Sequence, residues 1–266
     1  MKRLLLLSMV LFPSLLLAEQ FSAQPQGLLG PERTLVSAWF FNEGAGVVAN
    51  DPAIGNPAKL RNHGDLLSGP TWVTGLHGHA LDFSATNSRV EIQNENEFDF
   101  ITMNSTWTLV VVYKAKALLK GIIFSKTGTF NSTQGFYIQA ESDATGDIAF
   151  VRILSGATQK WVTGVVPLNQ CCRDVWRVLI IDYCQTGTLT GDTVRIYIDG
   201  KRRDTTGIPT IGDITNDFLA VISGWDNGTS TSFNGVMDMV AVYRGDSKGP
   251  ITEDEARAIT ARILGW

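Results

Sequence analysis

The stretch "SFNGVMDMVAVYRG", Ser232 to Gly245, carries the reading of the whole chain. Counted by twos as a strand, it sets Val236, Asp238, Val240 and Val242 on one face and Met237, Met239, Ala241 and Tyr243 on the other. A carboxylate among three valines costs several kcal/mol unless it is paired, hydrogen-bonded or metal-bound. The second face is apolar throughout. Either another segment covers it, such as the 19–34 leader or a C-terminal helix, or it is a contact surface; coverage is the expectation.

Outward from this strand, short apolar runs alternate with clusters of Gly, Asn, Asp, Ser and Thr, the pattern of an all-β chain. The runs predict strands at Leu35–Phe41, His79–Phe83, Arg89–Ile92, Trp107–Lys114, Ile122–Lys126, Gly135–Ala140 and Ile148–Leu154. Further strands are predicted at Lys160–Val166, Val175–Cys184, Thr193–Ile198, Phe218–Ser223 and Val236–Tyr243. The stretch from Gly44 to Gly78 reads as a long rim loop. In "VRIYIDG", Val194, Ile196 and Ile198 face one way and Arg195 and Tyr197 the other, and Asp199-Gly200 favours a tight turn. One helix is predicted, at the C-terminus, where Thr252 and Glu255 form a capping box and Ile251 can staple onto Ala256.

The first residues, "MKRLLLLSMVLFPSLLLAEQ", have the basic start, apolar run and small residue of a cleaved secretory signal. A signal over residues 1–18 is expected, then a leader over 19–34 and one β domain over 35–266, exported to the periplasm or the extracellular space. The formal net charge of −4 becomes more negative once Lys2 and Arg3 are removed. That acidity argues against nonspecific nucleic-acid binding, and no other apolar stretch is long enough to span a bilayer. Of the cysteines, Cys171, Cys172 and Cys184, the last is separated from the others by a predicted strand roughly 33 Å long at about 3.3 Å per residue. A disulfide needs Cα atoms within about 7 Å. A vicinal Cys171–Cys172 bridge, an intermolecular bridge and free thiols all remain open.

Four segments stand in a telling order: "AWFFNEGAGVVAND", "GPTWVTGLHGHALDFSATNSRVEI", "DVWRVLIIDYCQTGTLTGDTVRIYIDGK" and "FNGVMDMVAVYRG…ITEDEARAI". Together they resemble the LamG-like jelly-roll family of the concanavalin A-like lectin/glucanase superfamily, from Leu35 to the C-terminus. The resemblance implies a two-sheet antiparallel jelly-roll sandwich with a short C-terminal helix, and core positions for Trp39, Trp72, Trp107 and Trp176. It also implies a structural role for Asp238, either as an anchor for backbone or Trp N–H groups or as a ligand of a structural Ca²⁺. Glu43 or Asp51 would supplement that ion, because calcium wants six to eight oxygens.

Enzymes of this superfamily need a catalytic constellation. The nearest approach to a glucanase Glu-x-Asp-x-x-Glu strand is "ESDATGD", with Glu141, Asp143 and Asp147, whose third acid comes one residue late and whose setting reads as a hairpin loop. His77 and His79, two residues apart, read as rim or strand histidines. No catalytic residues are assigned. The favoured reading is a secreted non-catalytic binding or adhesion module recognising glycan or a cell-surface protein. Trp225, Asp226 and Asn227 would supply it from the polar loop "GWDNGTSTSF", with Trp161 as a further aromatic. The alternatives are a glycan-active enzyme using acids such as Glu141, Asp143 or Asp182, and a structural envelope protein.

Overall fold

The computed structural model describes residues 28–29, 33–51, 62–101, 105–116, 121–128, 134–143, 146–155, 158–167, 174–184, 193–204, 214–226, 232–245 and 249–265, with the backbone alone at 141–143, 146–150, 153–155, 158–162, 165–167 and 193. Its elements are β1 (Arg33–Trp39), β2 (Val48–Ala49), β3 (Gly64–Leu67), β4 (Thr71–Thr74), β5 (His79–Asp82), β6 (Arg89–Ile92), β7 (Thr106–Ala115) and β8 (Gly121–Lys126). They continue with β9 (Gln134–Asp143), β10 (Gly146–Ser155), β11 (Thr158–Pro167), β12 (Arg177–Cys184), β13 (Thr193–Ile198), β14 (Lys201–Arg202), β15 (Ala220–Ile222), β16 (Gly235–Gly245) and the helix α1 (Glu253–Leu264). The strands form two antiparallel sheets. One runs β14-β13-β12-β7-β16-β5-β4, with β1 also on β16, and the other β11-β10-β9-β8-β15-β6-β3-β2.

Alternation along each strand decides what lies between the sheets. Val194, Ile196 and Ile198 of β13 and Phe136 and Ile138 of β9 enter one core with Trp39, Trp107 and Phe124. Tyr197 points the other way, into a second apolar cluster on the outer face of the first sheet. There Met239, Ala241 and Tyr243 are covered by Ile251, Ala256, Ile259 and Ile263 around α1 and by Leu28 and Leu29 of the leader. Both proposed covers therefore contribute. The helix begins with the expected capping box, Thr252 and Glu255 each accepting from the other's end of the first turn. It packs so closely on the Asp199-Gly200 turn that a Cβ at Gly200 would lie 2.7 Å from the Arg257 Cα. Both turn residues have positive φ, 51° and 74°, as a two-residue hairpin requires.

Three expectations are corrected. The Gly44–Gly78 stretch is not all rim loop, because β2, β3 and β4 lie within it. These strands are two to four residues long, too short for an alternation pattern to show. Glu141 and Asp143 lie on β9 rather than in a loop; in the register with β10 they stand opposite Ile148 and Gly146, while Asp147 stands opposite Ser142, out of step with both. Trp39 and Trp107 are core residues, but Trp72 is half-buried at an edge strand and Trp176 lies half-buried on the outer cluster, under the Lys114 ammonium at 5.0 Å.

Cys184 ends β12 as a buried thiol in no disulfide, whereas Cys171 and Cys172 lie outside the described residues. Mass mapping under non-reducing conditions should find no Cys172–Cys184 bridge. Detecting one would break the pairing of Cys184 with Thr193 at the end of β12.

Candidate functional site

Asp238 is where the sequence reading and the structure part most instructively. The register of β16 against β7 shifts between Met237 and Met239, so Asp238 is the extra residue of a bulge. The bulge inverts the parity below it. Met237, expected on the outer face, enters the core with Val240 and Val242, and Val236 does not. The bulge also lies where the neighbour on the other edge of β16 changes, from β1, whose pairing ends at Trp39 opposite Val240, to β5, which begins at Leu81 opposite Met237.

The carboxylate fills that junction. Its Oδ1 accepts from the Leu76 N–H at 2.6 Å and the His77 N–H at 3.3 Å, so it holds the turn between β4 and β5. The His77 ring in turn reaches the Ile263 carbonyl at the end of α1, with Nε2 at 2.7 Å. A Cβ at Gly75 would lie 2.2 Å from Asp238 Oδ1, so only glycine lets the turn approach the carboxylate. Burial pushes the Asp238 carboxyl up to about 6 in spite of the two amides, which pull it down. Asp238 Oδ1 therefore faces N–H donors, whereas Glu43 Oε2 is buried without a hydrogen-bond partner among the described residues. Asp51 likewise accepts from the Ala38 and Asn62 amides, and Glu43 Oε1 from the Asn50 amide. Among the described residues no three His, Cys, Asp or Glu side chains gather to hold a metal.

The candidate acid Asp182 is a buried counter-ion. Arg33 approaches its Oδ1 at 2.8 Å, Thr108 donates to the same oxygen at 2.8 Å, and the Ile251 N–H donates to Oδ2 at 2.8 Å. With no solvent-exposed surface it cannot meet a substrate.

The outer face of the second sheet is different. One row of the register crosses it from Asp65 through Glu91, Val221, Ser125, Tyr137 and Arg152 to Trp161. Over the middle of this row lies the loop that follows β15. Ser125 Oγ donates to the Gly224 carbonyl at 2.6 Å, and Ser232 bridges to Ile122. Trp225 packs its ring edge-on against Tyr137, with centroids 4.7 Å apart at 85°, in a cluster with Ile122.

Trp225 is therefore 5 % exposed and turned inward, not a ring offered to solvent as the polar loop suggested. The reason is local: Ile122 and Tyr137 give the outer face an apolar patch, and an indole covers it better than any neighbouring residue of the loop. Asp226 beside it is half-buried. Asn227 lies outside the described residues, and Trp161 is described by its backbone alone, opposite Arg152.

Beyond Tyr137 the exposure of the described side chains rises. Gln139, Arg152 and Thr163 are half-exposed, and Arg152 Nη1 donates to the Tyr137 hydroxyl at 2.7 Å with the guanidinium 5.6 Å from the ring. The reading of Trp225 as the site's aromatic passed over these groups. Their signal was the alternation in "GFYIQA", where Phe136, Ile138 and Ala140 share the core side and Tyr137 and Gln139 are left for the other.

Among solved structures, domain 4 of the extracellular GH43 arabinanase AbnA from Geobacillus stearothermophilus, in complex with arabinotriose, is similar with a TM-score of 0.56 and 14% identity. That match covers 86% of this chain and 99% of that one. The CBM40 of the Ruminococcus gnavus IT-sialidase gives a TM-score of 0.52 at 12% identity, over 68% and 96%. The binding domain of botulinum neurotoxin serotype C1 gives 0.55 at 9%, over 86% and 52%. At these identities the likeness is one of fold. A comparison with curated proteins gives no match. Residues 84–247, more than half of the sequence, match the concanavalin A-like lectin/glucanases family, and with two antiparallel sheets and a short terminal helix around that segment the chain belongs to this superfamily.

Proposed function

We propose that this chain is a secreted, non-catalytic glycan-binding module whose site is the open part of the outer face of the second sheet. The observation that carries the proposal is the step in exposure along one register row. Val221, Ser125 and Tyr137 are buried beneath the Trp225 loop, and Arg152, next in the row, is half-exposed with Gln139 and Thr163 beside it. A guanidinium, an amide and two hydroxyls beside an aromatic ring make a donor-rich surface suited to sugar hydroxyls or carboxylates, and a sheet holds them rigidly. The similar domains support the reading, one having been solved with arabinotriose and another being a carbohydrate-binding module. The amino-terminal signal pattern supports export of the chain from residue 19 onward, which sequencing the N-terminus of the exported protein would check.

The test is a glycan array probed with residues 19–266, with Arg152→Ala in parallel. The native protein should bind a defined set of glycans. The variant should bind them at least about tenfold more weakly, the loss of one charge-assisted hydrogen bond of about 1.5–3 kcal/mol. An array silent for the native protein sinks the reading; equal binding by the variant moves the site off this face.

A further inference from the structure

From the contacts of Tyr137, we infer that it is a positioning residue of the glycan site: it fixes the direction in which Arg152 faces a sugar, and Trp225 in turn fixes Tyr137. The inference rests on the binding reading above. Tyr137 is 2 % exposed, so its ring is no platform for a sugar to stack on. What it passes to a bound glycan goes through the half-exposed guanidinium it holds. Arg152 stands directly opposite Tyr137 in the register of β9 with β10, a pairing that brings two Cβ atoms to about 5 Å. Its Nη1 donates to the phenolic oxygen at 2.7 Å, the length of a charge-assisted hydrogen bond. The guanidinium also lies 5.6 Å from the ring centroid, within cation–π range.

The ring that holds Arg152 is itself held. Trp225 meets it edge-on, with centroids 4.7 Å apart at 85°, and Ile122 completes the cluster. The indole is anchored one residue earlier, where the Gly224 carbonyl takes the hydroxyl of Ser125, the residue opposite Tyr137 on β8. Trp225 therefore acts on the site without touching a glycan. A long side chain left to itself samples many rotamers, and whatever binds it must order it first. A guanidinium tied to a buried ring skips that step, and its planar fork meets sugar oxygens in a set orientation. Cutting the tie should weaken binding while leaving in place every group that touches the sugar.

The experiment is a double-mutant cycle of Tyr137→Phe and Arg152→Ala in residues 19–266, each protein titrated over the printed glycan array and then melted. Tyr137→Phe keeps the ring against Trp225 and removes only the phenolic oxygen. It should melt like the native protein, since a half-exposed Arg152 can turn to water. It should bind the same prints about threefold to tenfold more weakly, the cost of ordering one long side chain. In the Arg152→Ala background the same change should cost nothing further. Trp225→Leu, which fills the space without a ring edge, should reproduce both results. Native affinity in a folded Tyr137→Phe protein overturns the positioning role while leaving glycan binding intact. A loss that persists at full size without Arg152 overturns it too, because Tyr137 then acts by another route. Native affinity in a folded Trp225→Leu protein overturns the part given to Trp225. An array silent for the native protein, or equal binding by Arg152→Ala, overturns the binding reading on this face and the positioning role with it.

Discussion

Asp182→Ala is expected to lose about 3–5 kcal/mol of stability, the cost of stripping a buried cation of its partner, and with it roughly 6–20 °C of melting temperature at about 2–4 °C per kcal/mol. The carboxylate ties three parts of the chain together. Arg33 brings β1, Thr108 brings β7, and the Ile251 amide brings the segment that enters α1. Arg33 also donates to Thr108 Oγ1 at 2.5 Å and to the Gly249 carbonyl at 3.2 Å, and Arg195 donates to the Ile251 carbonyl at 3.1 Å. Desolvation is severe enough to raise the Asp182 carboxyl above the usual range even with Arg33 beside it. The pair is therefore costly to bury and costlier still to break. Replacing both members with apolar residues, Arg33→Met with Asp182→Leu, should recover most of the loss, because neither charge then has to be desolvated. Thermal melts of the two singles and the double close the cycle. A single variant melting like the native protein would mean that Arg33 finds water or another partner and that the site is not sealed.

The sandwich was legible because its signals are long-range and redundant. β6 and β13 match the predicted spans residue for residue, and β7, β8, β10, β11 and β16 extend past theirs by one or two residues at each end or at one end, since each has an alternating or continuous apolar run with turn residues outside it. The strands missed are β2, β3, β4 and β14, two to four residues long, which owe their conformation to the neighbours they pair with. Counting by twos gave the right face for Val240 and Val242 and the wrong one for Val236 and Met237, because a bulge adds one residue and inverts everything before it. Nothing in "GVMDMVAV" marks the bulge. It arises where β1 gives way to β5 along the edge of β16, a junction between segments some forty residues apart in sequence. Trp225 shows the complementary limit. A polar loop predicts solvent, and the ring is buried because Ile122 and Tyr137 from other strands lie beneath it. The Arg152 side of the face was written in the alternation of β9 but needed the register to put Tyr137, Arg152 and Trp161 in one row.

Asp238 yields a pair of opposite outcomes. Asp238→Ala should cost about 2–3 kcal/mol, since it leaves the Leu76 and His77 amides without their acceptor at a site only 5 % exposed. Asp238→Asn should cost little or nothing at pH 8 and can exceed the native protein, because the amide oxygen still accepts both N–H groups and no charge has to be buried. The pH dependence separates the two effects. The native carboxyl titrates at about 6 in the folded protein against 3.8 as its ordinary value, so the folded state binds the proton more tightly than the unfolded chain does. Its contribution to stability is fully present below pH 3.8 and is lost as pH rises through about 6. With a shift of about two units, each worth about 1.4 kcal/mol, the swing is on the order of 3 kcal/mol. Relative to Asp238→Asn, the native protein should therefore gain stability as pH falls from 8 to 4, and the gap between the two melting temperatures should move in the native protein's favour over that window. Denaturant melts at pH 8, 6 and 4 measure it. A gap that stays constant, or that moves against the native protein on acidification, would show that the carboxylate is not desolvated at the bulge, and a stable Asp238→Ala protein would release the turn between β4 and β5 from β16.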